Sequence, residues 1–335
     1  MKILVTGAAG YVGSHICIEL LFSGHEVLAL DNFSTGTKDT LMRLSQITNQ
    51  KFLIKECDIR AFGQLSNIFE DFQPSAIIHC AGLKIASESI HQPIEYYDVN
   101  VVGTLQLVRA ASRSSVTSII FSSTANVYGQ PDYLPCDELH PTRPQTPYGS
   151  SKLMAERILK DWALSESSRR VVNLRYFNPI GAHSSGLVGE RIDEKSTNIF
   201  PHILRVASGR DPELRIFGHD YDTRDGTGER DYIHVVDLAC GHLRALESIR
   251  EFDRVQVLNL GTGKATTVLE LVNAFEKATG VHVAHGFYPR RSGDISSSWA
   301  DSNLARNLID FDCQLGLLDM CRSGWKWAQS EQEKF

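Results

Sequence analysis

Short apolar runs recur along the first half of the chain, separated by stretches with helical patterning. They are Lys2-Ile3-Leu4-Val5-Thr6, Glu26 to Leu30, Phe52-Leu53-Ile54, Ala76-Ile77-Ile78-His79, Ser118-Ile119-Ile120-Phe121 and Val171-Val172-Asn173-Leu174. Such alternation predicts an α/β fold, a doubly wound parallel sheet of Rossmann type covered by helices on both faces. Ligands of these sheets sit beyond the carboxyl ends of the strands. Asp58-Ile59, Cys80-Ala81-Gly82, Ser122-Ser123-Thr124 and Tyr176-Phe177-Asn178 all fall at such ends, so one crevice can collect them.

After Asn178 the pattern gives way to a region rich in Gly, Ser, Asp and Arg, through Gly181 to Gly186 and on to Asp225-Gly226-Thr227-Gly228. It is too irregular for a central sheet and predicts a smaller mixed α/β lobe over the crevice. The expected division is a dinucleotide-binding domain over 1–177, with returning segments near 230–262, and a substrate-binding domain over 178–229 and 263–335. A further strand is expected at Val255 to Leu260. The Gly261-Thr262-Gly263 turn after it has two readings, a second phosphate loop or a plain strand-to-helix turn with Thr267 as the cap. The second is favoured, because no acid-ended strand follows. The tail from Glu331 is expected to fray.

With 335 residues and 42% hydrophobic content, the chain is long enough for two domains. A formal net charge of −6 argues against a general nucleic-acid binder. No stretch approaches the ~20 apolar residues of a membrane span, and the start of the chain lacks the pattern of a signal peptide. The seven cysteines are scattered without a CxxC pair and the histidines without metal spacing. A cytoplasmic protein without a metal is therefore expected.

Two constellations carry chemistry. Gly7-Ala8-Ala9-Gly10-Tyr11-Val12-Gly13 follows the first strand at once and leads into the helical run Ser14 to Phe22. Glycines there let the backbone turn tightly and approach a pyrophosphate at a helix N-terminus. The second strand ends in Asp31, an acid placed to bond adenosine ribose hydroxyls and repel a 2′-phosphate, which favours NAD over NADP. The other constellation is Tyr148 and Lys152, four positions apart. On a helix they share a face, about 5–6 Å apart at Cβ. An ammonium that close favours the phenolate of a tyrosine whose ordinary pKa is ~10, which suggests proton transfer with an alcohol.

Several longer segments match a family. Thr6 to Gly13, Gly82-Leu83-Lys84, Tyr96-Tyr97-Asp98 with Asn100, Ser122 to Gly129, Pro147 to Leu153, Arg175 to Asn178, Gly226 to Val235 and Arg290 to Asp301 make the chain resemble the UDP-glucose 4-epimerase family within the extended short-chain dehydrogenase/reductases. The resemblance implies NAD held as a retained cofactor, a UDP-sugar substrate and a transient 4-keto sugar. Tyr148 is implied as the base, Lys152 as its activator and ribose ligand, and Thr124 as a partner of the same sugar oxygen. Implied cofactor contacts are Tyr11, Val12, Asp31, Asn32, Asp58, Ile59, Cys80, Ala81, Gly82, Lys84 and Phe177 beside Gly7, Gly10 and Gly13. Implied substrate contacts are Lys84, Thr124, Asn178, Asn198, Arg230, Arg291, Asp294 and Ser298, with Arg215 to Phe217 near the uracil. A homodimer through helices beginning near Ile94 and Tyr148 is implied as well.

Departures from the family refine this picture. Related nucleotide-sugar dehydratases place an acidic pair directly after the threonine, whereas here Ala125 and Asn126 follow Thr124, leaving no evident acid to expel a hydroxyl. Val99 replaces a common side-chain amide. Ser298 stands where relatives confined to UDP-glucose and UDP-galactose often carry tyrosine, and its small size leaves room for an acetamide, so UDP-GlcNAc and UDP-GalNAc enter as expected substrates. Two further readings remain: the same chemistry on another UDP-sugar such as UDP-glucuronate or a UDP-pentose, and a non-catalytic NAD-sensing regulator.

Overall fold

The structure is a computed structural model and describes residues 1–193, 196, 198–291 and 293–332. β1 (Lys2–Thr6), β2 (Glu26–Asp31), β3 (Leu53–Glu56), β4 (Ala76–His79), β5 (Ser118–Ser122) and β6 (Arg170–Tyr176) join Val255–Leu260 in one seven-stranded sheet. Its order is Val255–Leu260, β6, β5, β4, β1, β2, β3, and every neighbouring pair is parallel. The chain leaves β1 for β2 and β3, then crosses to β4 on the other side of β1. The carboxyl ends of β1 and β4 therefore flank the topological switch point, where the sheet opens a crevice.

Side chains alternate across the sheet with a period of two, so each central strand feeds two cores. Ile3 and Val5 of β1 join one apolar cluster with Ile16, Leu20, Leu238 and Leu258. Leu4 joins the other with Leu65, Phe69, Leu159 and Trp162. A third cluster lies apart from the sheet. It unites Phe200 and Ile203, Leu214 and Ile216, Leu271 and Phe275, and Met320, drawn from segments on both sides of the returning stretch. Within it Leu214–Phe217 and His285–Tyr288 pair as parallel strands. Tyr232–His234 does not enter the main sheet but pairs with Asn178–Ile180 just past β6.

Two local details settle questions left by the sequence. The Gly261-Thr262-Gly263 turn is filled from within: the Asp231 carboxylate accepts from the N–H groups of Thr262 (2.8 Å) and Gly263 (2.9 Å) and from the Thr262 hydroxyl (2.6 Å). An anion of the chain itself occupies the backbone donors, and Thr267 caps the helix Val268–Thr279 with a full capping box. Of the tail expected to fray from Glu331, Glu331 and Gln332 belong to the final helix Leu317–Gln332, and Glu331 pairs with Arg43 at 3.0 Å. Residues 333–335 lie outside the described residues.

Candidate active site

The first helix begins at Tyr11, three residues before the apolar pattern suggests, because Gly10 is extended and acts as its N-cap. Tyr11, Val12 and Gly13 thus form the first helical turn, with their N–H groups free of the helical ladder. Gly7 has φ +68, and a Cβ there would stand 2.7 Å from the Ala81 nitrogen past β4. A Cβ on Gly13 would come within 2.2 Å of the Gly7 carbonyl. Strand, loop and helix pack backbone to backbone, which leaves a shallow cradle of donors at the positive end of a helix, a fit for a pyrophosphate.

Asp31 closes one side of this cradle, accepting from the N–H groups of Ala9 (2.9 Å) and Phe33 (2.8 Å). Burial pushes its pKa up, and those bonds oppose the rise. Next to it Asn32 donates to Asp58 at 3.0 Å. Asp58 is held down to about 2 by its hydrogen bonds with Arg60, and Ile59 packs against Gly103, where a Cβ would meet its Cδ1 at 2.5 Å. The Cys80–Lys84 loop is fixed by Asn100. Its Oδ1 accepts from Leu83 N–H (2.8 Å), and its Nδ2 donates to the Leu83 carbonyl (3.0 Å) and the Ser151 hydroxyl (2.9 Å). Asn100 lies in a π-helical turn, Asp98–Val102, and binds the loop to the helix that carries Tyr148. Cys80 touches the Ser122 hydroxyl at 3.2 Å, and burial raises its thiol to about 11. Phe177 is buried in an apolar cluster with Tyr128 and Cys136.

Thr146 caps the helix Pro147–Leu164 by accepting from Gly149 N–H, and Pro147 fits its first turn. Tyr148 and Lys152 are therefore on one face, as their spacing requires, and both are buried. Thr124 lies beside the Tyr148 hydroxyl and draws its pKa down against a larger rise from burial. The Asn126 amide donates to Thr124 Oγ1 at 3.1 Å. The Lys152 ammonium lies 4.1 Å from the Phe121 ring centroid. Burial lowers its pKa to about 8, while Cys80 and Glu156 pull the other way.

Across the crevice, Glu190 organises two predicted residues although nothing in its sequence context marks it. Its Oε1 accepts from Lys84 Nζ and Asn198 Nδ2, both at 2.8 Å. Lys84 also lies 5.7 Å from the Tyr11 ring centroid, so it is tied to the glycine loop rather than solvated freely. Asn178 and Asn198 line one small cavity of about 20 Å³ with Tyr232. The Arg230 guanidinium donates to the carbonyls of Glu229 (2.7 Å), Ile295 (2.9 Å) and Ser296 (3.3 Å). Among the described residues it pairs with no carboxylate, and burial lowers its pKa. Arg291 pairs with Asp294 at 2.8 Å and covers Phe217 at 4.9 Å, and Arg215 covers Tyr288 at 5.4 Å. These stacked planes can sandwich a flat base. Ser298 is a strand residue in parallel register with Arg230 rather than part of a loose polar loop.

The structure thus brings the glycine loop, Asp31, Asp58, Cys80 to Gly82, Thr124, Tyr148 and Lys152 to the carboxyl edge of one sheet. A larger cavity of about 490 Å³ contains none of them and lies between Val235–Glu247 and the segment near Phe311. No helix of the described residues is long and apolar enough to cross a membrane.

Residues 3–261 match the family described as NAD dependent epimerase/dehydratase. The UDP-glucose 4-epimerase of Bacillus subtilis (strain 168) is 44% identical over 330 residues, covering 98% of this chain and 97% of its own length. The human UDP-glucose 4-epimerase is 42% identical over 341 residues, covering 100% and 98%. A solved UDP-glucose 4-epimerase from Stenotrophomonas maltophila, with bound NAD and formylated UDP-arabinopyranose, superimposes with a TM-score of 0.97 at 41% identity and full coverage of both chains.

The position of Asp31 beside the cradle generates a cofactor test. Asp31→Asn is expected to weaken NAD binding roughly 10-fold and to narrow the preference for NAD over NADP by a similar factor, through loss of a charge-assisted hydrogen bond and of repulsion. Equilibrium titration with both dinucleotides checks it, and an unchanged ratio would count against the assignment.

Proposed function

The chain belongs to the NAD dependent epimerase/dehydratase family, and from that footing we propose that it is an NAD-dependent UDP-hexose 4-epimerase. It interconverts UDP-glucose and UDP-galactose through a transient 4-keto sugar. One observation carries the reading: a buried phenol beside Thr124, with the amide of Asn126, not an acid, as the threonine's side-chain partner. The pair can move a proton at a hydroxyl, and among the described residues no carboxyl bonds Thr124 to expel one.

When bound, NAD supplies an oxidised nicotinamide that takes the C4 hydride and returns it. Tyr148 removes the proton of the 4-hydroxyl, and Thr124 holds the same oxygen and relays the proton. Lys152, as ammonium, favours the phenolate and bonds the nicotinamide ribose. Arg230 and Arg291 hold the diphosphate while the ketone turns to present its other face. Their forked donors match phosphate oxygens, and Arg230, half-buried and with no carboxylate partner among the described residues, has a charge that an anion can balance. Tyr148 then gives the proton back, and no net oxidation remains. Asn178, Asn198 and Lys84 complete the sugar side, Asp294 orients Arg291, and Arg215 and Phe217 flank the uracil.

Ser298 extends the substrate range. A small side chain in the strand beside Arg230 leaves space near the sugar C2 substituent, which supports turnover of UDP-GlcNAc and UDP-GalNAc as well. A homodimer is supported by Ile90, Ile94, Val102, Leu105 and Met154, large apolar side chains left exposed on adjoining helices. All seven thiols are free, in keeping with a reducing cytoplasmic setting.

Three tests follow. Tyr148→Phe should lower kcat on UDP-galactose by about 10²–10⁴, the usual worth of a general base. The phenol must lose its proton to act and Lys152 favours that loss, so Lys152→Met should move the rising limb of the pH–rate profile to higher pH; a stationary limb would remove Lys152 from this role. Ser298→Tyr should abolish turnover of the two acetylated sugars and spare that of UDP-galactose, measured side by side on all four. Ile94→Asp should convert a dimer to a monomer in sedimentation velocity, and an unchanged mass would place the interface elsewhere.

A further inference from the structure

Tyr221 lies in the loop between the strand Leu214–Phe217 and Glu229, a residue to which neither the glycine motif nor the family resemblance assigned a role. Its side chain is 8% exposed, and its hydroxyl is buried with no hydrogen-bond partner among the described residues. Buried phenolic hydroxyls almost always find a partner, so one without a partner calls for an explanation.

The ring cannot swing out to find water. Gly218 has φ +82, and a Cβ there would fall 2.3 Å from Tyr221 Cε2, so the ring lies flat against that backbone. The Arg290 guanidinium covers the ring at 4.2 Å and is itself fixed by the Asp220 carboxylate (2.7 Å) and carbonyl (2.6 Å). The Tyr221 N–H is bonded to the Gly226 carbonyl at 2.9 Å. The phenol is thus held in one direction before any ligand arrives.

That direction is set by charge. The ionisable side chains near enough to influence the hydroxyl electrostatically are Asp294, Arg290, Arg230 and Arg291. Asp294 already accepts two bonds from Arg291, at 2.8 and 3.3 Å. What is left around the free O–H is cationic, which suits an anionic acceptor and gives a neutral sugar hydroxyl no advantage. Burial and Asp294 raise the phenol pKa, keeping it a donor.

We propose that the Tyr221 hydroxyl donates a hydrogen bond to a phosphate oxygen of the nucleoside-diphosphate portion of the substrate, as a third diphosphate ligand beside Arg230 and Arg291. The assignment rests on the UDP-sugar reading given above. It makes the diphosphate clamp two cations and one neutral, rigid donor.

The test is Tyr221→Phe, which keeps the ring and its packing, studied as the NAD-loaded enzyme. Calorimetric titration with UDP and with uridine separates a phosphate contact from a structural role. The variant should bind UDP roughly 10-fold more weakly, the worth of one hydrogen bond to a charged group, with uridine affinity unchanged. KM for UDP-galactose should rise by the same factor while kcat stays within about twofold. Equal UDP affinity in variant and parent would overturn the proposal, and so would a parallel fall for UDP and uridine. Failure of the parent enzyme to bind UDP would overturn the functional reading and this assignment together.

Discussion

The buried ion pair between Glu156 and Arg175 is the constraint on which the site depends. Glu156 lies one turn beyond Lys152 and two beyond Tyr148, on the same face of their helix, and Arg175 lies near the end of β6. Arg175 donates through Nε (3.0 Å) and Nη2 (2.7 Å) to the two carboxylate oxygens, and the Ser123 hydroxyl at the end of β5 donates at 2.5 Å. The remaining arginine nitrogen reaches the Tyr128 hydroxyl, which donates to Asn259 of the edge strand at 2.6 Å. A bidentate pair satisfied in this way fixes the rotation of the helix about its axis, and so fixes where the phenol points. Loss of either partner alone would strand a buried charge, at a cost of about 3–5 kcal/mol. Ser123, the residue next to Thr124, is part of the same network, so Tyr148 and Thr124 are positioned by one set of contacts.

Within this frame, burial keeps Tyr148 a neutral phenol and lowers the Lys152 pKa to about 8, which still leaves the ammonium as the major form at neutral pH. The productive pair is phenolate and ammonium, and of these only the phenolate is disfavoured. Toward that state the chain supplies Thr124 beside the phenol, and Cys80 and Glu156 near the ammonium. Proton transfer at the sugar is therefore conditional on positive charge brought in beside the phenol, which couples acid–base readiness to a loaded cofactor site. A base strongly ionised at all times would gain less from that coupling.

The sheet was legible in the sequence because each strand is a short apolar run with its own turn, and Tyr148 and Lys152 were legible because a spacing of four has one geometric meaning on a helix. The start of the first helix was not, since Tyr11, Val12 and Gly13 carry no apolar period and only the backbone of Gly10 marks the boundary. Glu190 and Tyr221 were also hidden. They sit in stretches without periodicity, and their partners come from 8 to 106 residues away for Glu190. Asn100 stood inside a matching segment, yet its role depends on a π-helical turn that no simple pattern announces. The Gly261 turn shows the converse: its glycines suggested a phosphate site, and the carboxylate that fills it, 31 residues away from Thr262 in sequence, is visible only in three dimensions.

The distribution of polar groups over the crevice also bears on how a ketone can turn without escaping. Charged donors, the forked guanidiniums of Arg230 and Arg291, are gathered where the diphosphate would lie, and the aromatic planes of Phe217 and Tyr288 lie beside them. In the proposed reading the sugar meets Thr124, Tyr148, small Ser298 and the amides Asn178 and Asn198. Ser298 and Arg230 are register partners on adjacent strands, so the anchor and the sugar's surroundings share one rigid element. Binding free energy concentrated on the part that stays still leaves the rotating ring weakly held, and rotation then breaks few strong contacts. An arginine clamp at the sugar itself would hold one face against the cofactor, and such a site would favour net oxidation over inversion.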